Sequence, residues 1–141
     1  MKIKGLNGTD YNWKLVGHVP LGDDEQRRSQ YHLAARDLLT TLYPLDRVLE
    51  EVPLPGSNGL TADFVLPSLK LIVEVHGEQH YKFVPHFHTN ILGFFAGKKR
   101  DENKRLWCRI NNLCLVELPH WESVDEWKRR ITNRNRSVAD S

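Results

Sequence analysis

Two acidic residues stand where an apolar pattern would otherwise run unbroken. Asp63 interrupts "LTADFVLP", and Glu74 interrupts "LKLIVEVHG". A lone carboxylate buried among aliphatic side chains is costly or shifts its pKa. Glu74 is therefore either paired with a cation such as an arginine or directed into a cleft where a cation sits. Asp63 poses the same choice, and taken alone it also fits a charge at a strand edge. His76 follows Glu74 at i+2, so a strand carries both on one face. His80 follows in "HGEQH", where Gly77 lets the chain turn away. A histidine near neutral pH can serve as general acid or base, or stabilise a transition state. Standing alone, such a histidine is as readily structural.

The elements around these residues bring the carboxylates together. Asp63 and Glu74 lie at similar distances from the short connection at Pro67 and Ser68, and positions equidistant from a hairpin turn face one another. Two carboxylates so close repel unless a cation separates them. Mg²⁺ fits, with Mn²⁺ as its substitute, because it takes hard oxygen ligands and keeps several waters. Such an ion activates water and stabilises charge building on a phosphate.

The wider pattern predicts α-β-β-β-α-β-α. Residues 1–22 read as an irregular or weakly stranded segment. A helix starts near Asp24, capped by Asp23 or Asp24, with Tyr31, Leu33, Ala34, Leu38 and Leu42 on one face, and Pro44 ends it. "DRVLEEVPL", "LTADFVLP" and "LKLIVEVHG" read as strands, the last buried on both faces. A helix follows over residues 97–112, with Leu106, Trp107 and Ile110 inward. "LCLVEL" is then a parallel neighbour of the third strand, reached by a right-handed crossover. "WESVDEWKRRI" reads as a last helix with Trp121, Val124, Trp127 and Ile131 aligned. The expected fold is one α/β domain over residues 23–132, a central mixed sheet flanked by helices, with a basic, disordered tail at 133–141.

The 141 residues suffice for one core, with apolar content of 40% and charged content of 27%. No apolar run approaches a membrane span and no secretory leader is visible, so the expected compartment is the cytoplasm, with no membrane partner. The net charge of +2 names no partner, but its distribution says more. "KKRDENKR" holds five basic and two acidic residues, and "KRRITNRNR" holds five basic and none acidic. One basic face for nucleic acid is a direct reading, with Lys98, Lys99, Arg100, Lys104 and Arg105 gripping phosphates. A solvated helix and a frayed end are the plainer one. Phe83, Phe87 and Phe94 can stack on bases or pack in the core. Cys108 and Cys114 suit reduced core positions better than a disulfide. With His86 and His88 they are the candidates for a zinc site, which the spacing does not favour.

The constellation resembles the PD-(D/E)XK nuclease superfamily. It reads Asp63, then Glu74-Val75-His76, with histidine where the motif has lysine. Within that superfamily it is most similar to the very-short-patch-repair-type endonucleases and related phage and homing nucleases, through "DFVLP", the "HG" at His76 and Gly77, His80, "RDENKRLW" and "LCLVELPHW". The resemblance covers roughly residues 25–122. It implies a restriction-endonuclease-like fold and a Mg²⁺-dependent endonuclease that hydrolyses phosphodiester bonds in DNA, in a bacterial or phage-infected cell. It makes Asp63 the main metal ligand, Glu74 a second ligand or support, and His76 and His80 the catalytic histidines. The family often adds an acidic residue from the first helix, for which Glu25, Gln30 and Asp37 are candidates, and Asp101 is a possible further site residue. The structural zinc of the repair enzymes is not implied, because no cysteine stands near the "HG" segment after Gly77. Two other readings stand beside this one: an inactive nucleic-acid-binding module on a nuclease-like fold, and a zinc-stabilised interaction domain. A homodimer or a recognition partner would supply double-strand cutting or specificity.

Overall fold

The computed structural model describes residues 1–16, 28–78, 81 and 91–134. The chain runs through strands β1 (Lys2–Lys4) and β2 (Asp10–Asn12), helix α1 (Gln30–Leu42), and strands β3 (Leu49–Pro53), β4 (Thr61–Leu66) and β5 (Leu71–His76). Helix α2 (Ile91–Ile110), strand β6 (Cys114–Pro119) and helix α3 (Val124–Thr132) complete it. The result is a mixed α/β fold. Its four-stranded sheet has the order β3-β4-β5-β6, antiparallel as far as β5, with β6 parallel to β5. The parallel pairing follows from the connection: α2 carries the chain back to the starting edge, as a parallel neighbour requires.

β5 is apolar because both its faces are covered. Leu71 and Val73 join Phe64, Leu66, Val116 and Leu118 under Ala35, Leu38 and Leu39 of α1 and Trp127 and Ile131 of α3. Ile72 joins Val65, Trp107, Cys108 and Leu113 on the α2 side, with Ile3 and Trp13 from the N-terminal segment. Each such fully buried aliphatic or aromatic side chain contributes roughly 1.5–3 kcal/mol. Trp13 and Trp107 meet edge to face at 5.3 Å, and their indole N–H groups donate to the carbonyls of Pro53 and Pro55 at 3.2 and 2.8 Å.

Several expectations need correcting. Of the N-terminal segment read as irregular or weakly stranded, residues 1–16 are described, and there β1 and β2 form a short antiparallel hairpin. The Asn111 side chain accepts from Lys4 N at 2.7 Å and donates to Lys4 O at 2.9 Å, docking that hairpin on the end of α2. Gly56 is required where the β1–β2 hairpin meets the β3–β4 turn, because a Cβ there would stand 2.4 Å from Gly5 Cα. Helix α1 starts at Gln30, where the Ser29 side chain accepts from His32 N at 3.1 Å and caps it; the expected caps Asp23 and Asp24 lie outside the described residues. Its fully buried residues are His32, Ala35, Leu38 and Leu39, while Tyr31, Ala34 and Leu42 of the expected face pack half-buried against the same cluster and Leu33 does not join it. His32 turns inward because it stacks on Phe64 and pairs with the buried Glu50, which also accepts from Arg36 Nε at 3.0 Å. Helix α2 is longer than expected and buries Trp107 and Cys108, leaving Leu106 and Ile110 exposed. Helix α3 starts later, at a capping box of Ser123 and Glu126, so Trp121 and Val124 fall outside its buried stripe. Of the expected tail, Arg134 donates to the Tyr43 hydroxyl at 2.9 Å, and residues 135–141 lie outside the described residues.

Candidate functional site

The β4–β5 ladder sets Phe64 opposite Val73 as its last backbone pair. One step further, Asp63 meets Glu74. There the side chains take over from the ladder. Glu74 Oε2 accepts from the Asp63 amide at 2.6 Å, and Asp63 Oδ2 accepts from the Val75 amide at 2.8 Å. Glu74 is 3% exposed. Its other oxygen, Oε1, is bonded to the Lys104 ammonium, which reaches down from α2. Asp63 is half-buried, and its Oδ1 makes no hydrogen bond among the described residues.

The parallel β5–β6 register places Glu117 beside Glu74. Asp63, Glu74 and Glu117 therefore form a row across three strands. His76, two residues beyond Glu74, is buried with Nδ1 standing 3.3 Å from Glu117 Oε2. Arg105 grips both oxygens of Glu117, at 2.5 and 2.8 Å. This two-pronged pairing is the strong geometry for a guanidinium.

Burial and the charge of Asp63 push the Glu74 carboxyl up to about 7, although Lys104 and the Asp63 amide pull it back. Burial also acts to raise Glu117, but Arg105 and His76 outweigh it and hold that carboxyl below its ordinary value. Tyr81 is pushed up to about 12 by burial and the Glu117 charge, so its phenol keeps its proton.

The structure brings together Asp63, Glu74 and His76 as the sequence suggested. His80 and Glu25 lie outside the described residues. Gln30 and Asp37 are exposed on α1, whose packing is with the Phe64–Val73 side of the sheet, and neither bonds to the carboxylate row. Asp101 on α2 is close enough for its charge to act on Glu117, Arg105 and Tyr81. Of the basic residues, Lys104 and Arg105 are not free for phosphates: both are committed to carboxylates of the sheet. Lys98 lies over the Tyr81 and Phe94 rings, and Lys99 and Arg100 are exposed. Cys108 packs with the α2-side core and Cys114 against the other cluster, and both are free thiols. His86 and His88 lie outside the described residues, as do Phe83 and Phe87.

Sequence reasoning missed Glu117. Its signal was the one that flagged Glu74, a carboxylate inside an apolar strand, "LCLVEL".

The donor chemistry fits a partly hydrated divalent cation. Among the described residues no group of three His, Cys, Asp or Glu side chains could hold a metal. Mg²⁺, however, is usually bound through one or two carboxylates, with water and phosphate completing its shell. Asp63 and Glu74 are two hard-oxygen donors on adjacent strands, and their mutual repulsion is what a cation relieves.

No protein-family description matches the chain, and no solved structure does. The chain is 50% identical over 68 residues to "Uncharacterized protein 307L" of Invertebrate iridescent virus 6, covering 46% of this chain and 34% of that protein. It is 40% identical over 68 residues to "Uncharacterized protein 033L" of Invertebrate iridescent virus 3, covering 48% of this chain and 34% of that protein. The chain thus spans about a third of the length of these curated relatives. Neither name states an activity. No helix among the described residues is long and apolar enough to cross a membrane.

Proposed function

We propose that the chain is a metal-dependent DNA endonuclease on a restriction-endonuclease-like fold. The observation that carries this reading is the facing pair Asp63 and Glu74, with an oxygen on Asp63 that is open among the described residues and the Lys104 ammonium on Glu74. Asp63 and Glu74 would hold Mg²⁺, or Mn²⁺ in its place. When bound, that ion supplies Lewis-acid stabilisation of a phosphodiester and a lowered pKa for its water.

The remaining chemistry belongs to side chains of the chain itself. Lys104 supplies from α2 the ammonium that the Glu74-Val75-His76 stretch lacks at its third position. It can follow charge as that charge grows on a phosphate oxygen. Glu117 orients the His76 ring, and Arg105 in turn fixes Glu117. A ring so held can give or take a proton at a set place. Lys98, Lys99 and Arg100 are the phosphate contacts that remain on α2 once Lys104 and Arg105 are assigned to the sheet. The viral origin of both relatives supports viral DNA processing inside an infected cell as the setting. A second copy or a recognition partner would supply specificity.

The test is nicking or linearisation of supercoiled plasmid with Mg²⁺ or Mn²⁺, by wild type, Asp63→Ala and His76→Ala. The reading expects metal-dependent product from wild type alone. A second reading, a DNA-binding module without cleavage, is favoured by the Lys104–Glu74 pair, which already neutralises one carboxylate. It expects bound but uncut plasmid in all three.

A further inference from the structure

An aromatic shelf adjoins the carboxylate row at the C-terminal ends of β5 and β6. Tyr81 meets Trp121 edge to face, with ring centroids 4.4 Å apart. The His120 ring lies 5.8 Å from Tyr81 and 5.4 Å from Trp121. The shelf is tied to the site, because the His120 amide donates to the His76 carbonyl at 2.9 Å and the Tyr81 ring lies 5.9 Å from that of His76.

Packing among the described residues does not explain the exposure of Trp121. Trp13, Trp107 and Trp127 are buried, and each indole N–H donates to a proline carbonyl. Trp121 is 61% exposed and donates to nothing among the described residues. A buried nitrogen beside it, His120 Nδ1, is likewise without a hydrogen-bond partner among the described residues. Folded proteins seldom leave such an atom unmatched.

Charge selects the occupant. The Lys98 ammonium stands 5.4 Å from the Tyr81 ring centroid, and Lys99 and Arg100 follow it on α2. Flat rings bordered by cations match a polymer with flat bases and an anionic backbone. A base within a continuous duplex has both faces covered by its neighbours. To lie on Trp121 it must leave the stack.

We infer that Tyr81, His120 and Trp121 form a subsite for an unstacked nucleobase, with Lys98 on the adjoining phosphate. The preferred substrate is then a DNA strand with an unpaired base beside the site, whether single-stranded, frayed or flapped, rather than continuous duplex. The inference takes its choice of nucleic acid from the function proposed above, but it is tested without metal, so chemistry and binding fail separately.

The experiment is anisotropy of labelled oligothymidine and of a labelled duplex of equal length, both in chelator, with wild type, Trp121→Ala and Lys98→Ala. Thermal melts confirm that the variants are folded. Wild type should bind the single strand more tightly than the duplex. Trp121→Ala should weaken single-strand binding about tenfold or more. Lys98→Ala should lower the slope of log affinity against log salt by about 0.7. Equal single-strand affinity in wild type and folded Trp121→Ala overturns the subsite, as does equal wild-type affinity for both oligonucleotides. Absence of any DNA binding by wild type overturns the subsite and the nuclease reading together. The expected binding without metal-dependent cleavage upholds the subsite and overturns only the chemistry.

Discussion

Asp63 and Glu74 each cap the other's strand across the β4–β5 pair: Glu74 accepts from the Asp63 amide, and Asp63 accepts from the amide of Val75, the residue after Glu74. These bonds begin where the backbone ladder ends. The two residues therefore fasten the end of the β4–β5 pairing with one oxygen each, leaving one oxygen of Asp63 open among the described residues and one of Glu74 on Lys104.

Removing the Asp63 carboxylate should cost stability as well as charge. Asp63→Ala leaves the Val75 amide without its acceptor, a loss of about 1–3 kcal/mol. Asp63→Asn keeps an oxygen there and should stay within about 1 kcal/mol of wild type. Urea unfolding of the two variants measures the difference. Equal stability of both with wild type would contradict the role of that bond.

The raised Glu74 carboxyl gives a signed pH dependence. The folded protein keeps this proton up to about 7, whereas the unfolded chain loses it near 4.5. More protons are bound to the native state across that interval, so the contribution of Glu74 to stability is full below the lower value and is lost as pH rises to the upper one. Glu117 and Glu50 act oppositely, since their lowered carboxyls contribute above 4.5 and lose that contribution on acidification. Unfolding free energy measured across the interval should fall with pH more in wild type than in Glu74→Gln. Parallel profiles would overturn the assignment. Lys104→Met should extend the decline to higher pH, because the ammonium no longer pulls the carboxyl down.

Glu50 is the second buried carboxylate, and its role is structural. It receives His32 and Arg36 on the α1 side, away from the carboxylate row. Glu50→Ala should destabilise by about 3 kcal/mol or more, because the Arg36 guanidinium and the His32 ring are left without their buried acceptor. Chemical denaturation reads this directly, and a loss below about 1 kcal/mol would refute it.

Cys108 should be inert in the native state. Burial and the Glu74 charge push its thiol up to about 12. Alkylation at mildly alkaline pH should modify Cys108 only as fast as the chain opens, with Cys114 reacting first. Mass spectrometry of partly labelled protein distinguishes the order, and rapid labelling of Cys108 would be the adverse result.

The meeting of Asp63 and Glu74 was legible in the sequence because a short connection and the two-residue period of a strand together fix cross-strand register. The central strand was legible because burial on both faces leaves a continuous apolar run. The partner of Glu74 was not. Lys104 sits in a run of charges that reads as solvated, and only the rotation of α2 that buries Trp107 and Cys108 turns Lys104 and Arg105 toward the sheet. Glu117 depends on parallel pairing through a distant helix, which sets no register in the sequence. His32 was missing from the expected face of α1 because it occupies a core position by virtue of Glu50, and hydrophobic periodicity does not count a buried polar pair.

Binding of Mn²⁺, followed by loss of the free-ion paramagnetic resonance signal, tests most directly whether Asp63 and Glu74 form a cation site. Wild type should take up one ion, with uptake lost in Asp63→Asn and Glu74→Gln and strengthened in Lys104→Met, where the competing ammonium is gone. Equal uptake by wild type and both carboxylate variants, or none by wild type and Lys104→Met alike, would contradict the account.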